Sequence, residues 1–184
     1  MELTRDLEIH SYRLINFVNL GGADSERVLA WRNSYGVRRW TYTDHVITVA
    51  EHEAFIGRLR EEGDSAYWLV RKQGEGVRDM GVISLTGIDW QAGKATLGIY
   101  ANPDLKLPGL GRELMKCLLE VTFFILRLGR LQLEVLEDNT RAVDFYRWAG
   151  FREIGRLKER IFRGGRTMDA LVMEITSEEV EIWK

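Results

Sequence analysis

Two side chains suited to moving protons stand twelve positions apart on either side of a turn, the carboxylate of Glu134 and the phenol of Tyr146. A phenol titrates near about 10, so it can hand a proton to a leaving group of similar basicity, and a carboxylate can accept one. The residues between them supply the necessary scaffold. Leu131, Leu133 and Val135 alternate with Gln132 and Glu134, the period of a half-buried strand. Asn139 is placed to cap a helix that begins at Thr140, and Gly150 sits where a left-handed C-cap is easiest. Tyr146 falls on the apolar side of that helix. On these residues alone, a packed helix tyrosine and a solvated strand carboxylate remain open as alternatives.

A second segment could hold an anion. Lys106-Leu107-Pro108-Gly109-Leu110-Gly111 lies between a strand and an apolar helix. Glycines there let backbone N–H groups approach closely, and the helix N-terminus adds its positive dipole end, a geometry that suits a pyrophosphate. In the preceding strand, Thr96-Leu97-Gly98-Ile99-Tyr100, Gly98 would ease a close approach or relieve core packing. Cys117, the only cysteine, lies inside the apolar run Leu114 to Leu126. It has no internal disulfide partner and lacks the exposed electropositive setting of a nucleophilic thiol.

Asn139, Ala142, Phe145, Tyr146, Gly150 and Phe151 match an N-x-x-A-x-x-F-Y-x-x-x-G-F signature, and here the chain resembles the GNAT superfamily of acetyl-CoA-dependent N-acetyltransferases. The glycine loop resembles that family's Q/R-x-x-G-x-G/A, with Gly109 and Gly111 in register and Lys106 at the first position. The resemblance implies an α+β GNAT fold, a mixed and mostly antiparallel central sheet flanked by helices. It also implies acetyl-CoA as co-substrate, no metal, and direct attack of an amine on the thioester in a ternary complex. Leu97, Gly98 and Ile99 would pair with the pantetheine arm. Lys106, Gly109, Leu110, Gly111 and Arg112 would meet the phosphates, with Asn139 and Phe145 completing the cofactor site. Tyr146 would protonate the departing thiolate, Glu134 would accept the amine proton, and Ser84 would stand beside the reactive amine.

The acceptor is read from Trp31-Arg32-Asn33, Val37-Arg38-Arg39-Trp40, the segment Ile15 to Leu20, and Glu153 to Lys158. Taken together they resemble the nucleotide-sugar N-acetyltransferases of pseudaminic-acid biosynthesis, which acetylate the 4-amino group of a UDP-linked amino-dideoxy altrose derivative used for flagellin glycosylation. That likeness implies Arg32 at the nucleotide phosphates, with Tyr42, His52 and Phe55 lining the nucleotide and sugar pocket. Ser84 and Thr86 would hydrogen-bond the sugar. Thr41 and Gly87 stand where those enzymes carry a methionine and a lysine. The W-R-N … V-R-x-W run is shared with ribosomal-protein N-terminal and spermidine acetyltransferases, so a protein N-terminus or a polyamine is the alternative acceptor. A non-catalytic acetyl-CoA-binding module is a third reading, against which Tyr146 argues. The residues alone also allow Arg32 to pair with Asp24 or Glu26, His52 to sit in a surface cluster, and Phe55 to belong to the core.

The rest of the chain must position these groups. With 184 residues, 45% of them hydrophobic and 29% charged, it is expected to form a single domain over 1–184. A net charge of −2 excludes a basic nucleic-acid footprint. Met1 to Asp6 lacks the pattern of a signal peptide, and Lys116, Glu120 and Arg127 interrupt the apolar stretch from Leu114, so no membrane is involved and the cytoplasm is expected. A homodimer is compatible with this composition. Strands are expected at Ile9–Phe17, Tyr67–Val70, Met80–Thr86 and Ala95–Tyr100. One helix opens at Asp24 or Ser25 and passes Val28, Leu29 and Trp31. A second follows the Thr48–Glu51 capping box, with Phe55, Ile56 and Leu59 at helical spacing. Arg152–Phe162 and Arg166–Ile175 read as a hairpin about Gly164-Gly165.

Overall fold

Period-two alternation places apolar side chains on both faces of one sheet, and helices cover each face. The computed structural model describes residues 3–61, 63–163 and 165–180. Its strands are β1 (Leu7–Ile9), β2 (Tyr12–Asn16), β3 (Ala66–Lys72), β4 (Arg78–Asp89), β5 (Lys94–Ala101), β6 (Arg130–Leu136), β7 (Arg152–Arg163) and β8 (Arg166–Thr176). They form a single sheet in the order β1-β2-β3-β4-β5-β6-β8-β7. All neighbours are antiparallel except β5 and β6, which are parallel, so the expected mixed α+β fold is present.

Parallel neighbours need a crossover, and α4 (Leu110–Leu119) provides it. With α5 (Thr140–Trp148) it covers one face, where Leu14, Trp68, Ile83, Leu131 and Leu133 pack against Leu114, Leu118 and Val143. The residues one place along β2, β3 and β4, namely Ile15, Leu69 and Val82, point to the other face. There they meet Val28 and Trp31 of α1 (Gly22–Asn33), Leu59 of α3 (Val49–Leu59) and Phe17 of a single 3-10 turn. Each such buried side chain is worth about 1.5–3 kcal/mol relative to exposure. The short α2 (Tyr35–Arg38) had no counterpart in the sequence reading.

Several boundaries moved for local reasons. The first expected strand is two, because His10 adopts a left-handed φ of 50° and turns the chain between β1 and β2. Helix α1 starts at Gly22, before Asp24 or Ser25, since Asp24 is used elsewhere: its carboxylate takes Arg27 at 2.7 Å and Arg71 at 2.9 Å. Asp79 holds the same two arginines at 2.6 Å each, tying α1 to β3 and β4. The Thr48 capping box forms as expected, with Glu51 N donating to Thr48 Oγ1 and Thr48 N to Glu51 Oε2. Helix α4 runs on into a π-helical turn, Glu120–Ile125, where Thr122 Oγ1 donates to Leu118 O at 2.8 Å. Cys117 is buried within α4, and burial pushes its thiol up to about 12, so it stays protonated and unreactive. Gly164 of the expected β7–β8 turn lies outside the described residues, as do Met1 and Glu2. Among the described residues no helix is long and apolar enough to cross a membrane.

His52 on α3 is buried, against the surface reading, with the Phe17 ring edge-on at 6.2 Å. Its Nε2 is buried without a hydrogen-bond partner. Burial pulls its pKa below the ordinary 6.5, against the opposing pull of Glu53 and of the Ser25 backbone. The unfolded chain therefore takes up a proton that the native state refuses. This contribution to stability is fully present above about pH 6.5 and is lost as pH falls from there toward the lower native pKa. Urea unfolding midpoints should decline as pH falls below about 6.5, and His52→Leu should flatten that decline. An equal decline in the variant would remove His52 as its cause.

Candidate active site

The functional geometry begins where β5 and β6 part. They pair only at Lys94–Arg130, Ala95–Leu131 and Thr96–Gln132. Beyond Thr96, β5 keeps β4 as far as Ala101 but has no ladder partner on the β6 side among the described residues. The backbone of Leu97, Gly98 and Ile99 thus presents a free strand edge along a wedge that an extended chain of amides can pair with. At the open end lies the glycine loop. Gly109 caps α4 in the left-handed region at φ 80°, with no side chain serving the helix end. Arg112 N and Glu113 N turn back onto Gly109 O at 2.9 and 3.1 Å, which leaves the amides of Leu110 and Gly111 as the ones available to an anion. Gly111 lies against the Phe145 ring, where an added Cβ would stand 3.5 Å from Cε2 and Cζ. This contact seats the loop on α5. Lys106 is exposed. Asn139 caps α5 through Oδ1, which accepts from Ala142 N at 3.4 Å, so that oxygen is already committed.

Tyr146 is one turn above Ala142 on the same helix. Its ring meets Phe151 edge-on at 5.8 Å and Phe145 at 5.5 Å, and Phe151 N donates to its carbonyl at 3.0 Å. Gly150 makes this return possible, at a left-handed φ of 93°. Burial raises the phenol above its ordinary 10.0. It therefore remains protonated at neutral pH, the state an acid requires.

On the face covered by α1 and α3, register brings together residues far apart in the chain. Tyr67, Ser84 and Gly98 are aligned across β3, β4 and β5, and burial pushes the Tyr67 phenol up, against the opposing pulls of Ser84 and Arg32. A Cβ at Gly98 would stand 2.4 Å from Ser84 Oγ, so any side chain there would force the Ser84 hydroxyl to turn away. Arg32 reaches into this layer, and its Nη2 donates to Thr43 Oγ1 at 2.7 Å. It interacts with Tyr100 and Tyr67, and burial pulls its pKa down. Its Nη1 is buried without a hydrogen-bond partner, as is Nε of the neighbouring Arg38. The alternative pairing with Asp24 is not formed, since Asp24 serves Arg27 and Arg71. Phe55 packs edge-on to Tyr67 at 5.0 Å, so it buttresses that ring as part of the helix core. Thr86 Oγ1 donates to Thr96 O at 3.4 Å.

Glu134 and Tyr42 were read as separate groups; the structure joins them. The Tyr42 hydroxyl donates to Glu134 Oε2, Arg160 Nε reaches the same oxygen at 3.1 Å, and the Arg160 guanidinium lies 4.7 Å over the Tyr42 ring. Burial first and the Glu134 bond second push the Tyr42 phenol up to about 12. The Glu134 carboxylate is thus occupied by a phenol and a guanidinium, and it ties the segment after α2 to β6 and β7. Trp40 of that segment packs on Leu136, Ile161, Met168 and Ala170. Arg38, Tyr67, Tyr100 and Arg160 escaped the sequence reading. Arg38 was visible within V-R-x-W, but the tyrosines needed cross-strand register. Arg160 needed the β7 bulge at Glu159, a left-handed residue with φ 51° whose N–H donates to Asp169 Oδ1 at 2.9 Å.

A wedge between parallel strands, an amide-lined helix start and a tyrosine on the next helix define a class. The chain belongs to the GNAT acetyltransferases: residues 15–152 match the family described as "Acetyltransferase (GNAT) domain". It is an N-acetyltransferase of that family, whose members draw the acetyl group from acetyl-CoA. It is 33% identical over 96 residues to spermidine N(1)-acetyltransferase of Vibrio cholerae, a match covering 52% of this chain and 56% of that enzyme, about half the length of each. The Escherichia coli K12 spermidine N(1)-acetyltransferase is 29% identical over 141 residues, 77% of this chain and 74% of that one. The crystal structure of the Vibrio cholerae spermidine N-acetyltransferase in complex with CoA and spermine shares the fold, with a TM-score of 0.81 at 23% identity over 93% of this chain and 98% of that one. The named relatives thus act on a polyamine, where the sequence reading favoured a nucleotide sugar.

Proposed function

We propose that this N-acetyltransferase acetylates a primary amine carried by an anionic small molecule, of the class of UDP-linked amino sugars, by direct transfer in a ternary complex. The observation that carries this is the pair Arg32 and Arg38, each with a buried N–H lacking a partner. Two neighbouring guanidinium groups left with unmet donors suit phosphate oxygens and repel a polycation. In this reading Arg32 and Arg38 hold the diphosphate, and Ser84 and Thr86 meet the sugar. The free edge of Leu97–Ile99 aligns the pantetheine, while the amides at Gly109, Leu110 and Gly111 take the pyrophosphate. The amine nitrogen attacks the acetyl carbonyl, the C–S bond breaks as the adduct collapses, and Tyr146 gives its proton to the departing thiolate. Because Glu134 is held by Arg160 and Tyr42, it accepts the amine proton only after release from them; otherwise the proton leaves through water in the wedge.

The relatives' names favour a second reading, a polyamine acceptor, and judged by those names alone it stands ahead. Glu134 is the carboxylate of this face that a polyamine would engage, and it would first have to displace Arg160. CoA release separates the two. With acetyl-CoA held at saturation, a UDP-linked amino sugar should support turnover with kcat/KM at least about tenfold above spermidine. The reverse ranking would overturn the anionic acceptor and establish the polyamine.

A further inference from the structure

At the mouth of the cofactor wedge, Arg112 stands in the first turn of α4, where positive charge works against the helix dipole. It forms no ion pair among the described residues, unlike Arg147 on α5, which is near Asp144 and Glu153. Its guanidinium instead lies 4.0 Å over the indole of Trp148, and that indole is 46% exposed at the end of α5. Phe145 stacks against Trp148 at 5.9 Å and 27°, and the same Phe145 ring touches Gly111. A continuous path therefore leads from the phosphate loop through two aromatic rings to an arginine that is fixed in place yet has no carboxylate partner.

We propose that Arg112 takes the ribose 3′-phosphate of acetyl-CoA and that Trp148 is a positioning residue that holds the guanidinium for it. The inference rests on the loop at Gly109–Gly111 receiving the pyrophosphate. Acetyl-CoA carries two anionic groups of different kinds. The bridging pyrophosphate is met by backbone amides, and its pantetheine arm runs inward along β5. The nucleotide end must then lie outward of the loop, beside the first turn of α4 and the last turn of α5. Its 3′-phosphate is a dianion that no backbone donor there addresses, and a stacked guanidinium can meet it with two parallel N–H bonds.

Acetyl-CoA and acetyl-dephospho-CoA differ only in that phosphate, so their dissociation constants, measured by calorimetry, isolate it. The wild-type protein should prefer acetyl-CoA by roughly ten- to a hundredfold. Arg112→Ala should bring the two within about threefold of each other by weakening acetyl-CoA alone. Trp148→Leu should lose much of the preference, and Trp148→Phe, which keeps a ring under the guanidinium, should restore it. Equal weakening of both ligands by Arg112→Ala would place Arg112 on the pyrophosphate and overturn the proposal, as would a wild-type protein that does not distinguish them. A wild-type protein that binds neither would instead overturn the placement of the phosphate loop.

Discussion

Tyr146→Phe is expected to lower kcat by roughly 100-fold or more while leaving acetyl-CoA affinity close to that of the wild type. The substitution keeps the ring, so the contacts to Phe145 and Phe151 and the seating of α5 survive. What disappears is a proton that burial holds on the phenol well into alkaline pH. An expelled thiolate has a basicity close to that of a phenol, so the loss falls on the step in which sulfur leaves. Steady-state kinetics with saturating acceptor, together with calorimetric binding of acetyl-CoA, separates this from a folding defect. Unchanged kcat would remove Tyr146 from the chemistry, and lost cofactor binding would make it a packing residue.

Arg32→Ala carries the next largest effect and concerns the acceptor. If the acceptor bears a diphosphate, its KM should rise roughly 10- to 100-fold, the scale of one or two charge-assisted hydrogen bonds to phosphate. Acetyl-CoA affinity should change little, because Arg32, in the last turn of α1, lies beside Tyr67 and Tyr100 on the opposite face of the sheet from α4. Free UDP should compete with the sugar for the wild-type protein and hardly at all for the variant. A polyamine acceptor gives the opposite sign: removing a half-buried guanidinium would improve its binding. Failure of UDP to bind the wild-type protein at millimolar concentration, combined with a lower KM for spermidine in Arg32→Ala, would establish the polyamine.

The parts of this protein that depend on near neighbours were legible from residue order. The β6–turn–α5–glycine unit is one: its strand period, the Asn139 cap and the left-handed Gly150 all involve residues a few places apart. The Thr48 capping box and the glycines ahead of α4 are others. These local signals, together with the spaced motif around Tyr146, sufficed for the fold class and the acetyl-CoA chemistry. Partnerships across the sheet were not legible, because alternation says which face a residue takes but not which strand lies beside it. Gly98 read equally well as a bulge former or a packing relief until register set it opposite Ser84. Glu134 read as a free base until Tyr42, 92 positions away, and Arg160 closed on its carboxylate. Arg32 could have been helix surface, and only the capture of Asp24 by Arg27 and Arg71 shows why it turns inward. Residue order thus determined most of the helices and strands and the spaced motif around Tyr146, because hydrogen bonds between neighbours and side-chain period specify them. Tertiary structure alone decided the wedge between β5 and β6 and the cluster of Arg32, Arg38, Tyr67 and Tyr100, because both arise from groups that meet only when distant segments pack together.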